Sequence, residues 1–340
     1  MVVDEWNGLG RADQFSRSQE YLIDDTGQVS PAVYGTHTQS GTNSSPPAPI
    51  SSPPAPTSST PPPTLIGASG SLQFDLIWDS SVAKAPSGFV QAIIKAAQFY
   101  TTFFSNKEVV NIDVGYGEVD GSRLASSALG ESESYGYLTN LSTVVNALHS
   151  DSYPPSLARN EPTSSQFFVT RAEAKTLDLI SGSSSGVDGF VGLSSTVPMN
   201  YSTSGPTQGS PQFDATAIAE HEISEVMGRI GMEGEIVSGK PTYTPLDLFD
   251  YKSPGILELS GLGGYFSVND GTSNLGIYND ASAHGGDISD WASNAAPTGV
   301  TYDAYNAFTW PGYHGIVSSS DLLEDAALGY KLTPTGVATA

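Results

Sequence analysis

The sequence predicts an α+β fold in which a twisted mixed sheet is backed by two principal helices and followed by an irregular Gly/Asp-rich C-terminal subdomain. Three observations carry this. The order strand, helix, strand between Phe74 and Val114 is the order that a helical crossover imposes on two parallel strands. The run from Ile218 to Ile230 is apolar around most of a helix, which fits burial better than exposure. Beyond Tyr243 long helices are scarce, and Gly, Asn and Asp punctuate short strand patterns.

Taken in order, residues 1–70 read as a poorly ordered N-terminal segment with a Pro/Ser-rich linker, and residues 71–335 as the folded domain. Ser44-Ser45-Pro46-Pro47-Ala48-Pro49 repeats as Ser51-Ser52-Pro53-Pro54-Ala55-Pro56 and continues to Pro63. Proline fixes φ and removes donors, so the tract is expected to be an extended spacer; a polyproline ligand for a partner domain is the sharper alternative. Phe74–Trp78 reads as a strand, Phe89–Phe104 as a helix with period 3.6, and Val109–Val114 as an alternating strand. Short helices are expected at Val144–Leu148 and Arg171–Ile180, and a last one at Leu322–Leu328. The glycines of Asp188-Gly189-Phe190-Val191-Gly192-Leu193-Ser194 suit an edge strand, which could hold an extended peptide.

Charged residues make up 14% of the 340-residue chain, and 36 acids against 13 bases give a net charge of −23. Such a surface repels phosphate backbones and anionic lipid, so nucleic acid and membrane surfaces are excluded as expected partners. There is no cysteine, hence no disulfide, thiolate metal site or cysteine nucleophile. No apolar run approaches the ~18 residues of a membrane span, and the N-terminus shows no basic and apolar export signal.

Chemistry is concentrated in Ala219-Glu220-His221-Glu222-Ile223-Ser224-Glu225-Val226-Met227-Gly228-Arg229. On a helix, His221 and Glu225 at i and i+4 project from one face, a metal-chelating spacing. Glu222 is placed to hold a water beside the ion without being a ligand, the division of labour in H-E-x-x-H zinc proteases. An acidic solvated helix is the ordinary reading of the same letters. Buried glutamates need compensation, however, and a divalent cation would supply it. Asp214 is expected to cap this helix and Gly228 to end it. Asp280, Asp287 and Asp290 could bind Ca²⁺ or simply form turns.

The chain resembles a bacterial family of predicted secreted metalloproteases of the zincin group, similar in pattern to metzincins. The resemblance rests on the H-E-I-x-E-V-M-G helix, Asp247-Leu248-Phe249 with Tyr251, Tyr265-Phe266-Ser267 with Asp270-Gly271, Gly286-Asp287, Asp290-Trp291, Asp303-Ala304 and Gly329-Tyr330, in that order. It covers residues 72–332 and implies a zincin-like catalytic domain holding one catalytic Zn²⁺. The expected product is a secreted, monomeric endopeptidase acting on proteins or peptides. Asp250 stands where a basic residue is expected, a departure that would remove a local ion pair. Metzincins place a ligand at the position of Gly231, which has no side chain to offer. The third ligand is therefore sought among Asp247, Asp250, His284 and His314, with Asp247 favoured because its segment matches the family pattern. His221, Glu225 and Asp247 are thus the expected ligands, Glu222 the general base, and Tyr251 a candidate oxyanion donor. A catalytically silent binding module and a protein that cleaves only its own linker are the competing functions.

Overall fold

The computed structural model describes residues 20–24, 29–31, 59–149, 155, 159–293 and 301–339. Most of the Pro/Ser tract lies outside them. Ten strands form one mixed sheet, whose main path runs Glu235–Val237, Lys240–Tyr243, Gln166–Thr170, Gly130–Asn140, Gly189–Leu193, Val109–Tyr116, Gln73–Trp78 and Thr64–Ile66. As the strand, helix, strand order requires, Gln73–Trp78 and Val109–Tyr116 are parallel. Helix α1 (Phe89–Phe103) connects them and buries Phe89, Ala92, Ile93, Ala96, Ala97 and Tyr100 along one stripe.

Six further helices occur among the described residues: α2 (Leu141–Leu148), α3 (Arg171–Thr176), α4 (Ala215–Met227), α5 (Ala281–His284), α6 (Ser319–Ala327) and α7 (Pro334–Thr339). The architecture is therefore mixed α+β, and α1 and α4 are its longest helices. Helix α3 stops short of the expected Ile180, because the chain takes a left-handed turn at Asp178, φ 56°. Three strands fall inside the stretch 1–70, Glu20–Asp24, Val29–Pro31 and Thr64–Ile66. Thr64–Ile66 pairs with Gln73–Trp78, buries Ile66 and receives a 3.1 Å bond from Trp78 Nε1 to Thr64 Oγ1. Glu20–Asp24 pairs antiparallel with Gly130–Asn140.

The strand Gly189–Leu193 is not an edge. It pairs in parallel with Val109–Tyr116 on one side and antiparallel with Gly130–Asn140 on the other. Its glycines serve close packing instead: a Cβ at Gly189 would lie 2.8 Å from Val226 Cγ1, and one at Gly192 would lie 2.2 Å from the Glu118 carbonyl oxygen. Helix α4 lies on this strand and on Gly130–Asn140, with α1 against its flank.

The C-terminal part carries a second sheet of four short strands, in the order Ile256–Leu257, Asp250–Ser253, Tyr265–Phe266 and Gly276–Ile277. Helix α6 closes it through a capping box between Ser318 and Asp321. Positions i, i+3 and i+4 of α6 turn acids inward. Asp321 accepts from Trp291 Nε1 at 2.6 Å, Glu324 from the Tyr278 hydroxyl at 2.6 Å, and Asp325 from the Tyr305 hydroxyl at 2.9 Å.

These buried acids make stability depend on pH. Burial pushes the carboxyls of Asp325 and Glu108 up to about 7. A carboxyl raised in the fold takes up its proton before the unfolded chain does. The stability this lends is complete below the unfolded value and is lost as pH rises through about 7. The melting temperature is therefore expected to be higher near pH 6 than near pH 8. A melting temperature that climbs across that interval would contradict the assignment.

Candidate metal centre

Helix α4 begins where Asp214 Oδ1 accepts the amides of Thr216 and Ala217 at 3.1 and 3.4 Å, and it ends at Gly228, φ 124°. Both termini lie where the sequence places them. Every residue of the helix is buried except His221, which is half-buried and opens onto a cleft. The rest of the helix is packed against the protein, so Glu220 and Glu225 must find compensation inside it.

At the base of the cleft three donors converge. His221 Nε2 lies 3.2 Å from Glu225 Oε1 and 3.3 Å from Asp290 Oδ1. Among the described residues, His221, Glu225 and Asp290 are the one group of three whose donor atoms gather closely enough to share an ion. A tetrahedral zinc site with bonds of about 2.0–2.1 Å sets neighbouring ligand atoms about 3.3 Å apart, so the spacing suits such an ion. The imidazole is oriented for it. Its Nδ1 lies 2.8 Å from the Ala304 carbonyl oxygen, which can only accept, so Nδ1 carries a proton, and in the neutral ring Nε2 would turn a lone pair toward the two acids. Lone pairs facing carboxylates repel unless a cation or a proton lies between them. Burial opposes a charged His221, but Asp290 and Glu225 outweigh it and raise the imidazole above its usual value.

The same two carboxylate oxygens that face His221 are also held by an arginine. Arg229, wholly buried one turn beyond Glu225, gives Nη1 to Asp290 Oδ1 at 2.7 Å, Nη2 to Glu225 Oε1 at 3.3 Å and Nε to the Ser224 hydroxyl at 2.7 Å. Its guanidinium also stacks 4.4 Å from the Tyr305 ring centre. Glu225 Oε2 accepts from the Ser132 hydroxyl at 2.7 Å. Burial pushes Glu225 up, yet the His221 charge, together with Arg229 and Ser132, prevails and holds it below the ordinary carboxylate range. Asp290 is fixed through its neighbour Trp291, which stacks on Tyr278 at 5.0 Å and anchors its indole on Asp321.

Glu222 stands on the wall of the same cleft, a space of 540 Å³ lined also by Leu129, Gly130, Phe213, Asp287, Tyr302 and Phe308. Gly130 opposite it has no room for a side chain: a Cβ there would lie 2.4 Å from Glu222 Oε1.

Three of the four expected site residues therefore share this cleft, and the fourth does not. Asp247 Oδ2 accepts the amides of Met232 at 3.3 Å, Glu233 at 3.1 Å and Thr244 at 2.8 Å, so it ties a turn together and has no place in the group. His284 is exposed at the end of α5, and His314 Nδ1 pairs with Asp214 Oδ2 at 2.6 Å. Asp280 caps α5 and Asp287 lines the cleft, while Asp290 joins His221 and Glu225; no calcium set forms from them. Tyr251 is buried against Tyr265, whereas Tyr302 lines the cleft with its hydroxyl turned into the protein. Asp290 and Ser132 carry no spacing signal, whereas Arg229 stands at i+4 from Glu225. The burial that an apolar helix imposes on Glu225 points to a cation such as Arg229 and to further donors.

The chain matches no protein-family model, and neither the curated proteins nor the solved structures contain a match. The likeness to metzincins rests on the order of the motifs alone.

Proposed function

We propose that the protein is a zincin-like, metal-dependent endopeptidase whose ligands are His221, Glu225 and Asp290 and whose general base is Glu222. The observation that carries this is the convergence of three donor atoms at the foot of a cleft that also holds Glu222. A divalent ion bound there would polarise a scissile carbonyl and acidify a water. Glu222 accepts the water's proton and returns it to the leaving amine. His221 is kept in its ligating tautomer by the Ala304 carbonyl. Arg229 offsets one of the two carboxylate charges, so the pocket presents a net charge nearer −1 than −2 and a bound cation keeps more of its polarising power.

Arg229 also favours a second reading. Its two short contacts already satisfy Asp290 and Glu225, and a protonated His221 would complete a closed network in a catalytically silent binding module. Chelation separates the two. Hydrolysis of a denatured protein is expected to disappear on dialysis against a metal chelator and to return with added Zn²⁺. Cleavage that survives complete removal of metal would overturn the proposal, and an inert protein with full metal would favour the silent module.

A further inference from the structure

A second group of acids is buried with less compensation than the first. Past the end of α4, the loop through Glu233 meets the four-stranded sheet, and Glu233, Asp247, Asp250 and Glu258 come together there. Two of the four are provided for. Asp247 takes three backbone amides, and Glu258 takes the Ser260 amide at 2.9 Å, with Lys252 Nζ at 3.5 Å. Asp250 is 2% exposed, and its carboxylate oxygens meet no donor in good hydrogen-bond geometry, with the Tyr265 amide and the Glu233 carboxyl as their polar neighbours. The nearby Glu233 Oε2 is buried without such a donor as well. Among the described residues no ion pair reaches either side chain.

The walls around these oxygens are glycine. A Cβ at Gly264 would fall 2.0 Å from Asp250 Oδ1, and one at Gly261 would fall 2.8 Å from Glu233 Oε2. Glu233 itself has a left-handed backbone, φ 40°, uncommon for a residue with a long side chain. It also lines a 920 Å³ groove that continues from the His221 cleft past Ser127, Glu225 and Asp287, so water and small ions reach it.

We propose that Asp250 and Glu233 form a calcium site that staples the loop after α4 to the four-stranded sheet. Adjacent buried carboxylates require either a shared proton or a cation between them. One shared proton still leaves a negative charge buried on the pair, beside Asp247 and Glu258. A hard divalent cation takes several oxygens at once, carboxylate and water together, at about 2.3–2.6 Å. It also offsets the charge of Asp247 and Glu258. Without a cation, burial followed by the Asp247 charge pushes Glu233 up to about 11, and burial pushes Asp250 up to about 7, as expected of uncompensated acids. The loop so stapled begins at Gly228 and carries Arg229, the residue that holds Glu225 and Asp290.

The test uses the full chain, stripped of metal and then saturated with Zn²⁺ so that the His221 cleft does not report. Calcium at about 100 times its dissociation constant is expected to raise the melting temperature by roughly 5–10 °C. Asp250→Asn and Glu233→Gln are each expected to abolish that rise. Glu233 lies at the groove and its variant keeps the side-chain shape, so the test stands even if Asp250→Asn fails to fold. The proposal is overturned if about 10 mM Ca²⁺ leaves the wild type unmoved, which is the outcome for a shared proton. It is overturned equally if the rise persists in Glu233→Gln.

Discussion

Glu222→Gln is expected to lower the rate of peptide hydrolysis by about 10²–10⁴-fold, the usual contribution of a general base, while metal content stays near one ion per chain. The expectation follows from position. Glu222 lines the cleft but lies outside the group formed by His221, Glu225 and Asp290. Glutamine keeps the shape of the side chain and removes the proton acceptor. Asp290→Asn and Glu225→Gln are expected to differ, losing metal and activity together, because a neutral amide is a poor substitute for a carboxylate ligand. The paired measurement is metal per chain and cleavage rate at one pH. Loss of metal in Glu222→Gln with retention in Glu225→Gln would reverse the roles assigned here.

Arg229→Met is expected to cost about 3–5 kcal/mol, the penalty for leaving buried carboxylates without their cation. Arg229 is fully buried, and no other basic side chain among the described residues pairs with Asp290 apart from His221. The loss corresponds to roughly 6–20 °C in melting temperature for a domain of this size. Saturating Zn²⁺ should shrink the deficit, because a bound ion compensates the same two charges. A variant that melts with the wild type in both conditions would mean that Glu225 and Asp290 are not ionised in the fold, and the charge argument would fail.

Much of the frame was legible because periodicity records it. Phe89–Phe103 and Ala215–Met227 are long amphipathic or apolar runs, and the second has chemically explicit ends, Asp214 at the start and Gly228 at the close. The strand Gly130–Asn140 was not legible, although it is the longest in the sheet. Its inward positions include Ser132 and Ser134 rather than large apolar residues, because α4 lies close above them and Glu225 needs the Ser132 hydroxyl. Close packing under the helix and the bond to Glu225 displaced the hydrophobic signal that marks a strand. The glycines of Gly189–Leu193 misled for a related reason, since they thin a central strand beneath the helix.

In the site, the residues within one helical turn of each other were readable and the distant one was not. His221, Glu222 and Glu225 follow from the pitch of a helix. Asp290 reaches them only through the fold of the C-terminal part, where Trp291 locks against Tyr278 and Asp321. Asp247 was favoured because it stands in a matching motif, yet its oxygen is spent on three amides of a turn. A short buried acid beside a 3₁₀ turn looks the same in sequence whether it meets backbone or metal.

The most direct test of the metal centre is anomalous diffraction from crystals grown with zinc, recorded on both sides of the zinc absorption edge. The account predicts one strong difference peak about 2.0–2.2 Å from His221 Nε2, Glu225 and Asp290, with Arg229 still bonded to the two carboxylates. Fully loaded crystals with no peak at that position, and His221 Nε2 bonded directly to the two acids, would contradict it.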